Sequence, residues 1–115
     1  MEIGFVGLGL MGRPMALHLA KAGHTLHLWA RRPASLEPFR DVHAKAHVSA
    51  AEVARHADVV FTMVADAPDV EQVILGPSGV MEGGQSGLTV VDMSTINPDA
   101  ARRVGVALAS RGIAF

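Results

Sequence analysis

Apolar positions along the chain follow two alternating rhythms, and each change of rhythm marks an element. Ile3, Phe5 and Val6 form a short apolar run that breaks into glycines at 7, 9 and 12. From Met11 to Ala22 the spacing becomes helical, with Met11, Met15, Leu19 and Ala22 as the expected buried stripe. Pro14 is tolerated in the first turn, and Gly23 stands where such a helix would end. Thr25 to Trp29 then alternates as a strand does. Strand, tight turn, helix and returning parallel strand make one βαβ unit of about 30 residues.

The pattern weakens from Pro33 to Val48, where a short helix over 34–39 interrupted by Pro38 and a short third strand over 44–48 are predicted. Ser49-Ala50-Ala51-Glu52 has the form of a capping box and opens a helix to about His56. Residues 58–64 are almost continuously apolar, the mark of a central parallel strand covered on both faces. A helix over 68–75, with Asp66 or Ala67 near its cap, is followed by turns at 76–79 and at Gly83-Gly84. Residues 88–92 read as a fifth strand. Asn97 as N-cap and Pro98 as first helical residue start a helix to about Ser110, and 112–115 opens a sixth strand. This alternation predicts an α/β fold, a Rossmann-type doubly wound parallel sheet, with residues 1–115 as one domain cut within the sixth strand.

Composition narrows the partners. With 50% hydrophobic residues among 115, the chain can bury a substantial core. Ten Lys plus Arg against eleven Asp plus Glu leave a net charge of -1, so no overall basic field gathers nucleic acid or an anionic membrane. Cysteine is absent, which removes disulfides, thiolate nucleophiles and Cys-ligated zinc. The start carries no basic segment ahead of an apolar one, and the apolar runs are too short to span a bilayer. A cytoplasmic protein is expected, without nucleic-acid or membrane partners.

The glycine turn carries the first candidate chemistry. In a strand-turn-helix setting Gly7 permits the turn, Gly9 lets backbone N–H groups approach a pyrophosphate, and Gly12 lets the helix lie close on the strand. Gly7, Leu8, Gly9, Leu10, Met11 and Gly12 are therefore candidate cofactor residues, with Met11 serving either core or ligand. A turn of this kind without a ligand is the alternative. At the end of the second strand, where an acidic residue would take the ribose hydroxyls of NAD, stand Ala30, Arg31 and Arg32. Two guanidiniums and no carboxylate suit the 2′-phosphate of NADP, with NAD as the less favoured cofactor; a solvated Arg pair is the alternative. Ser94 and Thr95 follow the fifth strand at the same carboxyl edge, placed to hold a nicotinamide amide or a substrate carboxylate, or else to bond locally within a turn. His43 and His47 are spaced i, i+4, but no third ligand stands near them in sequence, so they are read as exposed or half-buried and no metal site is expected.

Two motifs together resemble the β-hydroxyacid dehydrogenases, which include 3-hydroxyisobutyrate dehydrogenase and 2-hydroxy-3-oxopropionate (tartronate semialdehyde) reductase. The first is Gly7-Leu8-Gly9-Leu10-Met11-Gly12-Arg13-Pro14-Met15-Ala16 with Lys21-Ala22-Gly23-His24 after it; the second is Asp92-Met93-Ser94-Thr95-Ile96-Asn97-Pro98 with Ala101-Arg102 following. The resemblance implies that Gly7 to Gly12 hold the pyrophosphate and that Arg31 and Arg32 lie at the adenosine ribose. It also implies that Val64 and Ala65 line the cofactor and that Thr95 lies near the nicotinamide. Members transfer hydride between that ring and a short 3-hydroxy acid or its semialdehyde. His18 stands where relatives commonly have Asn.

In that family a Gly-rich substrate loop and a catalytic lysine come later, the lysine on a helix leading to an all-helical domain. The two lysines here, Lys21 and Lys45, do not match it, so no catalytic residue is assigned. The chain is expected to be the cofactor-binding part of a longer reductase, inactive alone and prone to self-association through uncovered apolar surface. An imine reductase or a 6-phosphogluconate dehydrogenase relative is the alternative enzyme, and a non-catalytic Rossmann scaffold the alternative outside enzymes.

Overall fold

The structure, a computed structural model, describes residues 1–8, 12–39, 44–64, 67–94 and 96–115. Five strands, β1 (Glu2–Val6), β2 (Thr25–Trp29), β3 (Ala44–Ala46), β4 (Val59–Thr62) and β5 (Thr89–Asp92), form one all-parallel sheet in the order β3-β2-β1-β4-β5. The order reverses between β1 and β4, and such a switch point opens a crevice at the carboxyl ends of the strands. Ala114 pairs in parallel with Thr89, so a sixth strand begins beside β5.

Each crossover has a local cause. Helix α1 (Gly12–Lys21) follows β1 and ends in a Schellman motif, in which Gly23 and His24 N–H groups donate to the Ala20 and Leu19 carbonyls. A 3-10 helix over Pro33–Phe39 contains Pro38, the residue expected to interrupt it. Helix α2 (Ala50–His56) starts where the Ser49 hydroxyl accepts from Glu52 N–H at 3.2 Å. Helix α3 (Ala67–Leu75) precedes a single turn, α4 (Val80–Gly83), where the sequence pattern predicts only glycine turns. Val80 is fully buried, and docking it in the core draws this segment into a helical turn. Helix α5 (Pro98–Ala109) is capped by Asn97, whose side chain accepts from Ala100 N–H at 2.8 Å.

Alternating side chains divide the core between the two faces of the sheet. Ile3, Phe5, Leu26 and Leu28 pack under α1 and Phe39. Val6, Val60 and Val90 meet Val53, Val70, Ile74 and Val104 from the helices of the opposite face. The contact stripe of α1 differs from expectation: Gly12 and Ala16 are its buried residues, Met15 and Leu19 flank them, and Ala22 is exposed beyond the last turn. Small residues at the centre let the helix approach β1 closely, which turns the larger side chains to its flanks. Met11 lies outside the described residues. Among those described, no helix is long and apolar enough to cross a membrane.

Candidate nucleotide site

The crevice is built from the ends of β1, β2, β4 and β5. Gly7 follows β1 and donates its N–H to the Trp29 carbonyl at 3.1 Å, tying the turn to the end of β2. Its φ is +95°, and a side chain there would overlap the Met63 carbonyl oxygen beyond β4. A side chain at Gly12 would run into the Gly7 carbonyl and the Phe5 ring. The first turn of α1 is thus pressed against the turn after β1, and its unpaired N–H groups stand at the switch point. Leu8, a predicted cofactor contact, is 3% exposed with its side chain in the core beneath α1, so only its backbone remains available to a ligand. Gly9, Leu10, Met11, Ala65 and Thr95 lie outside the described residues.

At the end of β2, Ala30 is half-buried while Arg31 and Arg32 are exposed. Arg31 reaches across to α3, where its guanidinium lies 3.4 Å from the Asp69 carboxylate. Arg32 has no carboxylate partner among the described residues. Beside Arg31 opens a cleft of about 320 Å³ lined by Trp29, Ser49, Gln72, Val73 and Pro77 among others. One wall is therefore a guanidinium and an indole, surfaces suited to a flat, anionic nucleotide end.

On the other side of the switch point a chain of hydrogen bonds joins β4 to β5. Thr62, fully buried, donates its hydroxyl to Asp92 Oδ1 at 2.7 Å, and the same oxygen accepts from Ser94 N–H at 3.3 Å. Ser94 Oγ in turn accepts from Val64 N–H at 2.8 Å. Val64 and Ser94, expected at the site for separate roles, are brought together directly, and the Ser94 hydroxyl proton stays free to donate. Thr62 and Asp92 position this pair. A threonine and an aspartate closing two adjacent apolar strands are the sequence signal that would have found them.

The histidine expectations resolve differently. His43 lies outside the described residues, and His47 is half-buried. The partners that the local i, i+4 spacing does not reveal come from elsewhere: His27 of β2 and His56 at the end of α2 converge on His47. Burial first, then the neighbouring His27 and His56, hold the His47 imidazole below its ordinary pKa, with Glu52 opposing. The Glu2 carboxylate, bonded to His27, is likewise held low, and acts in a separate window below its ordinary value of 4.5. Unfolding releases His47 to take a proton, so its neutral form stabilises the fold above the ordinary value of 6.5, and that contribution is lost as pH falls through the lowered folded value. The unfolding midpoint should therefore drop as the buffer goes from about pH 7 to about pH 5. His47→Gln should flatten that dependence, which circular-dichroism melts would show.

Comparison with known proteins agrees with this architecture. The family described as the NAD binding domain of 6-phosphogluconate dehydrogenase matches residues 2–115. The chain is 42% identical over 103 residues to the 2-hydroxy-3-oxopropionate reductase of Escherichia coli, covering 90% of this chain and 35% of that protein. It is 39% identical over 114 residues to the cytokine-like nuclear factor N-PAC of Xenopus tropicalis, covering 99% of this chain and 21% of that one. Among solved structures, the 3-hydroxyisobutyrate dehydrogenase of Mycobacterium tuberculosis superposes with a TM-score of 0.88 at 30% identity, over 98% of this chain and 38% of that one. The chain thus spans between about a fifth and two fifths of the length of these proteins. With the match running from Glu2 to Phe115, it belongs to the family of NAD-binding domains typified by that of 6-phosphogluconate dehydrogenase.

Proposed function

We propose that this chain binds NADP in preference to NAD along the carboxyl edge of its sheet. We propose further that residues 1–115 are the nucleotide domain of a longer cytoplasmic reductase acting on a short 3-hydroxy acid or its semialdehyde, of the 2-hydroxy-3-oxopropionate or 3-hydroxyisobutyrate type. The observation that carries the reading is the close approach of α1 to the turn after β1, at the point where strand order reverses. Because no side chain fits at Gly7 or Gly12, main chain and the head of α1 lie bare at this edge, which supports a pyrophosphate held there by backbone N–H groups. Arg31 and Arg32 take the adenosine 2′-phosphate, and Val64 and Ser94 serve the nicotinamide end, a role that the family resemblance extends to Thr95. When bound, the nicotinamide supplies or accepts the hydride.

The chain's own residues bind and orient. Lys21 closes α1 at the edge opposite the crevice, and Lys45 is exposed on the outermost strand, so neither supports proton transfer at the nicotinamide end. The 115 residues alone are therefore expected to bind nucleotide without turning over glyoxylate or tartronate semialdehyde. Exposed Val91, Met93 and Phe115 on or beside β5 support self-association, which a monodisperse monomer in light scattering would contradict.

Trp29 lines the cleft beside Arg31, so its fluorescence is the direct probe. NADPH should quench at lower concentration than NADH. Equal midpoints remove the NADP preference, and no response to either at millimolar concentration removes the nucleotide reading itself. Asp69 sharpens the test, because its carboxylate both occupies Arg31 and repels a phosphate. Asp69→Asn should tighten NADPH binding by about two- to fivefold, as expected for one exposed ion pair, and leave NADH unchanged. A second reading, a nucleotide fold kept for assembly, is supported by the similarity to a protein named as a nuclear factor; sustained NADPH oxidation by the whole protein would exclude it.

A further inference from the structure

Away from the crevice, on the face of the sheet covered by α2, three imidazoles from three separate elements meet. His27 Nδ1 and His47 Nε2 lie 2.9 Å apart, and one nitrogen from each of His27, His47 and His56 falls within 4.8 Å of the other two. The remaining ring nitrogens all face oxygen acceptors. His27 Nε2 is 2.8 Å from Glu2 Oε1, His47 Nδ1 is 3.6 Å from Glu52 Oε2, and His56 Nδ1 is 2.9 Å from the Glu52 carbonyl. His27 is 3% exposed, His47 half-buried and His56 exposed, so the group is rooted in the core and open at one side.

Protons satisfy the three short contacts in only one set of neutral tautomers. Glu2 and the Glu52 carbonyl require N–H on His27 Nε2 and His56 Nδ1, which leaves neutral His27 Nδ1 and His56 Nε2 as bare lone pairs. His47 Nε2 then gives its proton to His27 Nδ1, which turns the His47 Nδ1 lone pair toward the Glu52 carboxylate 3.6 Å away. An ion accepting all three inward lone pairs removes the conflict. The outer nitrogens of His27 and His56 then donate to oxygens at hydrogen-bond distance, and that of His47 faces a carboxylate at 3.6 Å, the kind of support that orients metal-bound histidines. We propose that His27, His47 and His56 form a three-histidine site for a divalent ion of the Zn²⁺ class, with water from the His56 side as fourth ligand.

The geometry asks for an adjustment in both directions. Two imidazole nitrogens on one tetrahedral Zn²⁺ stand about 3.3 Å apart, so His27 and His47, now at 2.9 Å, separate by roughly 0.4 Å, and the exposed His56 swings in to close a gap that spans at most 4.8 Å. Glu2 and Glu52 offset the ion's charge, and an adjoining recess of about 310 Å³, lined in part by Arg55, His56 and Ser86, gives access from solvent. Bound, the ion joins β2, the segment after β3 and the end of α2, and so holds the outer edge of the sheet against its covering helix.

The test is titration of the metal-free chain with Zn²⁺ against a chromophoric chelator, with Co²⁺ as a spectroscopic substitute. One equivalent should bind with a dissociation constant of micromolar order or below, raise the unfolding midpoint, and give Co²⁺ bands of a four-coordinate nitrogen and oxygen site. His56→Gln, on an exposed side chain, and His47→Gln should each weaken binding by roughly 100-fold, and Glu52→Gln by about 10- to 100-fold. His18→Gln and His24→Gln should change nothing. Circular dichroism of each metal-free variant separates loss of ligand from loss of fold. Zn²⁺ affinity that survives both His47→Gln and His56→Gln, or no binding by the folded wild type, overturns the assignment. Nucleotide binding measured at Trp29 should be the same in all these variants, so failure here is distinct from failure of the nucleotide reading.

Discussion

Gly7→Ala is expected to abolish nucleotide binding and to lower the unfolding midpoint sharply, whereas Gly23→Ala should do neither to a comparable degree. The two glycines have nearly the same φ, +95° and +94°, in the region that side chains rarely adopt, so the conformational strain of alanine is shared, at roughly 1–3 kcal/mol. Their surroundings differ. A Cβ at Gly23 meets nothing within 4 Å, while one at Gly7 overlaps the Met63 carbonyl oxygen. Met63 cannot yield easily, because its N–H is held by the Val6 carbonyl at 3.0 Å in the ladder between central strands. Overpacking of this kind adds roughly 1–3 kcal/mol, a large part of what a small domain has in total. Thermal melts and NADPH titrations of the two variants check this. Similar losses in both would mean that strain, and not the close approach, governs the turn.

Replacing Arg31 and Arg32 together with serine should weaken NADPH binding by about 10- to 100-fold and leave NADH within a factor of about two. Paired charge-assisted bonds to a phosphate account for the upper figure. The lower one follows from exposure, since the Arg31 side chain is 64% accessible and screened by solvent and salt. The preference for NADPH in the wild type should accordingly shrink as ionic strength rises. A double variant that keeps the preference would place the 2′-phosphate elsewhere.

Most of the fold was legible because its signals are local. The bounds of β2, the Ser49 cap of α2 and the Asn97-Pro98 start of α5 each depend on a few adjacent residues, and each stands where the pattern placed it. The α1 stripe departs from its pattern because large apolar residues dominate the periodicity, while the helix is seated on Gly12 and Ala16. What stayed hidden is set by register between distant segments. The pairing of His27 with Lys45 across β2 and β3 brings His47 to His27, and no spacing in one segment announces it. Arg31 reads as a phosphate ligand from its neighbours, but its link to Asp69 needs α3 in place.

The strand order has a consequence for how the chain comes to be folded. β1, which precedes both of its neighbours in the chain, ends up in the middle of the sheet, with Ile3 beside Leu26 on one side and Val59 on the other. Made before either neighbour, it waits with one rim bare until more than fifty further residues have been made, because parallel neighbours cannot be supplied by a hairpin. During that interval an apolar ribbon of five residues is open to any other extended segment, including the same stretch of a second nascent copy. Slow translation between Lys45 and Val59 should thus favour aggregation over yield, and early arrival of β4 should be the step that commits the molecule.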